Sequence, residues 1–257
     1  MVCIRFAYLG LAASSLVSLA LAKPLPWTRP DGNDRGSRRT IAGVSVIYTP
    51  VVRDAQRFAR EHSDEALYKH LMRSWLFGAL ALRHNDTLQG LVDEEVHAVA
   101  ALLHDLGFER TPGSAIVSAD RRFEVDGAIA SRAFLRAHPD GRRWEERRVQ
   151  LVWDAIALHA ESKIAYFKEP EVEAVARAIA LDFSGPGLGI TEPEYAAVLA
   201  EFPQDDLIEN VRSTMTWLCS TKPSTTYDTW MQGYGERLVE GYSAEGHRVV
   251  DAILGPE

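Results

Sequence analysis

AALLHDLG, residues 100–107, sets a histidine and an aspartate side by side at the end of an aliphatic run. The run continues backwards at three- and four-residue spacing, which predicts a helix over about 91–106. Successive helix positions point about 100° apart, so His104 and Asp105 cannot both face solvent while Leu102, Leu103 and Leu106 face a core. At least one polar side chain therefore enters the interior. There it costs several kcal/mol unless something pairs with it.

Outward from this stretch, apolar residues recur at helical spacing through about 51–62, 64–84, 123–138, 144–160, 170–182, 192–201, 206–221 and 233–242. Asp64 and Thr191 stand where N-caps belong, and Gly107 and Gly141 follow helices as C-cap residues do. The breaks are rich in Gly, Pro, Asn and Asp, with no repeat and no low-complexity tract. Residues 51–257 read as one all-α domain. Residues 23–50 read as an irregular arm, with at most a short strand around Val44 to Tyr48.

The first 22 residues carry one cation, Arg5, then an apolar segment closing on Ala20-Leu21-Ala22, the pattern of a cleaved secretory signal. Secretion is the expectation, with no membrane association after cleavage. Removing this segment takes the formal charge from −8 to −9, which disfavours nucleic acid as a partner. Cys3 leaves with the signal and Cys219 stays alone, so stability rests on packing rather than on an internal disulfide. Asn85-Asp86-Thr87 fits a glycan acceptor. A small-molecule substrate is the expected partner, and homo-oligomerisation is left open.

Two further polar residues sit where packing alone would not put them. His70 lies within ALYKHLMRSWLFGALA, a mostly buried helix, and Asp182 closes EAVARAIALDFSG, where a carboxylate opposes the helix dipole and needs a cation. Three helices thus deliver two imidazoles and two carboxylates toward the core. A divalent metal would satisfy all four.

The order His, His-Asp, Asp resembles the HD superfamily of metal-dependent hydrolases, across about residues 64–185. The resemblance implies His70, His104, Asp105 and Asp182 as metal ligands in an HD-type helical bundle. HLMRSWLFG at 70–78, RRFEVDGAIASRAFL at 121–135, WDAIALHAES at 153–162, ALDFSGPG at 180–187 and Glu201-Phe202-Pro203 look like the cyanamide hydratase-like branch. That branch adds water to a small nitrile. Phe108 replaces the lysine of many two-metal relatives, so one divalent ion is expected, zinc ahead of iron or manganese.

Such an ion makes nucleophilic water accessible at neutral pH. Glu124, or failing it Asp126, is the candidate to orient or deprotonate that water, although an acid at a helix start also suits the dipole. By resemblance, His159 stands on the substrate side or behind the ligands; packing in the core is the plainer reading. Arg73, one turn after His70, either holds the carboxylates or meets an anionic substrate. His62, His84, His97, His138 and His247 read as solvated, as does the GRRWEERR run at 141–148. The alternatives to water addition are a phosphohydrolase and a non-catalytic helical protein with a structural metal.

Overall fold

A computed structural model of the chain describes residues 37–255. The expected signal at 1–22 and residues 23–36 of the arm lie outside them. Two strands, β1 (Arg38–Ile41) and β2 (Val44–Ile47), pair antiparallel with Ile41 opposite Val44. Ala42 and Gly43 both take positive φ, the two-residue turn that matches strand twist. A hairpin therefore replaces the single strand expected; Arg38 and Arg39 hid the first strand, since their side chains lie on an exposed edge.

The rest is helical: α1 (Pro50–Glu61), α2 (Glu65–Arg83), α3 (Asp86–Leu91), α4 (Glu94–Leu103), α5 (Phe123–Ala137), α6 (Glu146–Leu158), α7 (Ser162–Ala165), α8 (Pro170–Ser184), α9 (Glu192–Glu201), α10 (Leu207–Thr221), α11 (Gln232–Leu238) and α12 (Val249–Leu254). The all-α expectation holds. The short helices α3, α7 and α12 were not foreseen, because four to six residues are too few to show a period. Asn85 of the glycan motif caps α3 by accepting from the Leu88 amide.

Asp64 caps α2 by accepting from the Leu67 amide, and Thr191 and Glu194 close a capping box on α9. Gly107 and Gly141 do not cap helices. Each lets backbone approach: a Cβ on Gly107 would lie 2.1 Å from the Phe123 carbonyl oxygen, and one on Gly141 2.5 Å from that of Leu135. Gly127, on α5, also passes close, with its Cβ position 3.1 Å from the His104 carbonyl oxygen. The start of α5 thereby leans directly on the His-Asp turn.

Helix α4 is the axis of the bundle. It packs against α1, α2, α5, α6 and α8, and every residue from Val96 to Leu103 is buried. An apolar helix with no solvent face is what AALL required. A second apolar cluster, built on Phe123, Met215, Leu218, Cys219 and Met231, joins α10 and the segment after it to the start of α5. Among the described residues no helix is long and apolar enough to cross a membrane.

Several side chains expected in solvent are buried or half-buried. His138 takes the amides of Asp140 and Gly141 on Nδ1 and contacts Asp54 through Nε2, bracing a turn. Arg148 of the basic run stacks 3.8 Å over Trp144 and pairs with Asp93 and Glu95. His97 is 1% exposed against Gly78 and Ala178, and its Nε2 has no partner among the described residues. Burial holds its pKa down to about 4.

The folded protein thus keeps His97 neutral while the unfolded chain protonates it below about pH 6.5. Stability is lost as pH falls from 6.5 to 4, on the order of 3 kcal/mol from this residue. Urea unfolding at a series of pH values measures it: His97→Leu flattens the acid slope, and an unchanged slope excludes this origin.

Candidate functional site

His104 and His159 occupy equivalent places, each the residue that closes a helix, α4 and α6 respectively. In each, Nδ1–H donates to the carbonyl three residues back: His104 to Ala101 at 2.9 Å, His159 to Ile156 at 2.7 Å. His70, inside α2, donates from Nδ1 to Asp182 Oδ2 at 2.6 Å. A carbonyl or carboxylate can only accept, so all three imidazoles carry their proton on Nδ1. In the neutral form each imidazole then presents Nε2 as a lone pair.

These lone pairs meet. His70 Nε2 lies 3.1 Å from His104 Nε2, and Asp105 Oδ2 is 3.2 Å from His104 Nε2 and 3.6 Å from His70 Nε2. His159 Nε2 lies 3.4 Å from the other oxygen, Asp105 Oδ1, a buried atom that accepts no hydrogen bond among the described residues. Acceptors this close repel one another unless a cation lies between them. Two imidazole nitrogens and one carboxylate oxygen are also what first-row divalent ions bind. The donor set therefore fits the implied metal, with His70, His104 and Asp105 as the converging ligands. Both helix C-termini add negative potential at the same spot.

Burial pushes the pKa of the Asp105 carboxyl up and that of the His104 imidazole down. For Asp105 the neighbouring imidazoles outweigh burial and hold it well below the carboxylate range; for His104 burial prevails.

Asp182 plays a different part from the one expected. Oδ1 accepts Arg73 Nε at 2.7 Å and Gln204 Nε2 at 2.5 Å, while Oδ2 accepts Arg73 Nη2 at 2.8 Å and His70 Nδ1. About four acceptor sites are all a carboxylate has. Asp182 is thus outside the converging group and acts here by orienting His70 and fixing its tautomer. Burial raises its pKa, but His70 and Arg73 outweigh that and hold it at about 2.

Arg73, 1% exposed, is the cation that Asp182 needed. Its remaining donor, Nη1, reaches the Phe202 and Pro203 carbonyls at 3.2 and 2.8 Å. This explains Glu201-Phe202-Pro203, which lies at the end of α9 rather than at a helix start. Arg73 holds a carboxylate; contact with an anionic substrate is excluded by its enclosure. Gln204 was not foreseen, although it directly follows that motif.

A cavity of about 400 Å³ opens onto the cluster, with His70, His104, Asp105 and His159 in its lining. Glu124 is not among the lining residues. It is 1% exposed, receives Arg122 and Trp230 Nε1, and acts on the site through its charge, helping Asp105 hold the His159 imidazole above its usual pKa against burial. Asp126 is held by Ser118, Arg121 and Lys222 and also lies away from the cavity. Both carboxylates are buried in ion pairs of their own and neither lines the cavity.

Residues 67–188 match the family model described as HD domain. The matched segment runs from α2 to just past α8; HD domains bind divalent metals, and His70, His104 and Asp105 form a candidate site of that kind within it. HD domains are generally metal-dependent hydrolases. No curated protein matches the chain.

Removing Arg73 leaves the Asp182 charge buried without its main partner, at a cost of about 3–5 kcal/mol. Arg73→Leu is expected to lower the denaturant midpoint accordingly. A shift equivalent to less than about 1 kcal/mol would mean the pair is not structurally required.

Proposed function

We propose that the protein is a one-metal enzyme that adds water to a small uncharged molecule, in the manner of the cyanamide hydratase-like branch: a nitrile to an amide or urea, or hydrolysis of a related bond. The observation that carries this reading is an apolar cavity lined by His70, His104, Asp105 and His159, with the Nε2 atoms of His70 and His104 converging on Asp105 and that of His159 directed at Asp105 Oδ1. When bound, the ion supplies Lewis-acid activation at neutral pH. His70, His104 and Asp105 would hold it, with zinc ahead of iron or manganese.

His159 is the proton-handling group. It lines the cavity, its Nδ1 proton is fixed on Ile156, and its Nε2 is directed toward Asp105. From there it takes a proton from water and returns one to the nitrile nitrogen as the C–O bond forms. The imidic acid that results tautomerises to the amide, so the imidazole ends as it began. Trp230 and Phe123 shield it on one side, and Phe123 lies edge-on at 5.6 Å.

A phosphohydrolase would want free cations at this place. Arg73 is enclosed, Arg121 is paired with Asp126, and Arg122 is paired with Glu124 and Glu161. The arginine in the lining, Arg110, bonds Thr214 and stacks on Trp217 at the exposed rim. That arrangement supports a neutral substrate.

Metal analysis together with turnover on nitriles, amides and phosphoesters tests the reading. About one equivalent of metal is expected, with His104→Ala lowering content at least tenfold and His159→Ala lowering kcat by about 10²–10⁴ at unchanged metal content. Metal without turnover on any compound would favour a structural ion in a binding protein. Preferential turnover of phosphoesters would replace the proposal with the phosphatase reading.

A further inference from the structure

The cavity has two walls of different origin. One belongs to the HD domain and includes Leu67, Ile179 and Phe183. The other, Val211, Met215, Trp230 and Tyr234, comes from α10, the turn before α11 and α11 itself, outside the HD match. Between them, Phe108 stacks on Phe123 at 4.1 Å, Phe123 meets Trp230 edge-on at 6.3 Å, and Trp230 meets Tyr234 at 6.1 Å. This is a continuous aromatic surface leading to His159.

Cyanamide, with three heavy atoms, would leave most of a 400 Å³ space empty. A space of that size and apolarity is suited to a ligand of drug-like dimensions, with a few polar groups fixing its orientation. The polar lining away from the ligand cluster is sparse and mostly neutral: Ser162, Asn210 and Thr214, with Arg110 and Asp64 as the charged members. Arg110 is engaged with Thr214, and Asp64 is spent on its helix cap.

We infer that the substrate is an uncharged organic molecule bearing a flat apolar ring, held edge-on and face-on by the aromatic wall, with its nitrile or carbonyl directed at His159 and Asp105. The C-terminal wall, not the HD domain, selects it. The inference takes the reacting group from the hydration proposal, while the ring-binding part stands on the walls alone.

Phenylacetamide, the product of hydrating phenylacetonitrile, separates the two. Calorimetry on the full chain should show it binding, with Val211→Trp weakening it at least tenfold by filling the space. Phenylacetonitrile should exceed cyanamide in kcat/KM at least a hundredfold. If Val211→Trp fails to fold, a series of amides from acetamide to naphthylacetamide on the unaltered protein takes its place, with affinity rising with ring size. Absence of phenylacetamide binding, equal binding by folded Val211→Trp, affinity independent of ring size, or preference for cyanamide overturns the inference. Phenylacetamide binding without turnover of any nitrile leaves the ring site standing and removes the hydration proposal.

Discussion

The buried pair of Arg73 and Asp182 is the constraint on which the rest of the site depends. Taking two charges out of water is costly, and it is offset only where geometry and additional hydrogen bonds are complete. Here they are: the guanidinium forks onto the carboxylate, and its last nitrogen serves two backbone carbonyls after α9. Three parts of the chain distant in sequence are joined by one planar group. The carboxylate then has a single further task on the metal side, which is to hold the Nδ1 proton of His70.

From that anchor the electrostatics of the centre follow. Two imidazoles are locked by their own helix carbonyls and the third by Asp182, so none can rotate its proton inward to relieve the crowding of acceptors. Rigid helices hold these groups in place, so the cluster is formed in advance and retains an unmet demand for positive charge. Close backbone contact at Gly107 and Gly127 fixes α5 against the same turn, which brings Phe123 to the edge of His159.

Much of this was legible from residue types. Helix periodicity located the long helices, and a His-Asp pair in an aliphatic helix with no solvent face had to be explained by something beyond packing. The need of Asp182 for a cation was visible from its place in the last turn of α8. That Asp182 would spend its oxygens on Arg73, Gln204 and His70 was not, because saturation of a carboxylate depends on tertiary partners. Glu124 misled for the same reason: a carboxylate at a helix start carries no sign of whether it faces a cavity or, as here, Arg122. His97 looked solvated beside Glu94 and Glu95, and only the missing Cβ of Gly78 makes the room that buries it. Glycines read as helix stops turned out to be points of close approach, a distinction that lies in the neighbouring chain.

The separation between two of the apolar clusters has a consequence for how this molecule changes over time. The metal-facing groups rest on the cluster around α4, whereas the far wall of the chamber hangs from the smaller one around Met215 and Met231. Exchanges among the residues of that outer wall reshape what is admitted while the reactive groups keep their spacing. A scaffold partitioned in this way can acquire new tastes without relearning its chemistry.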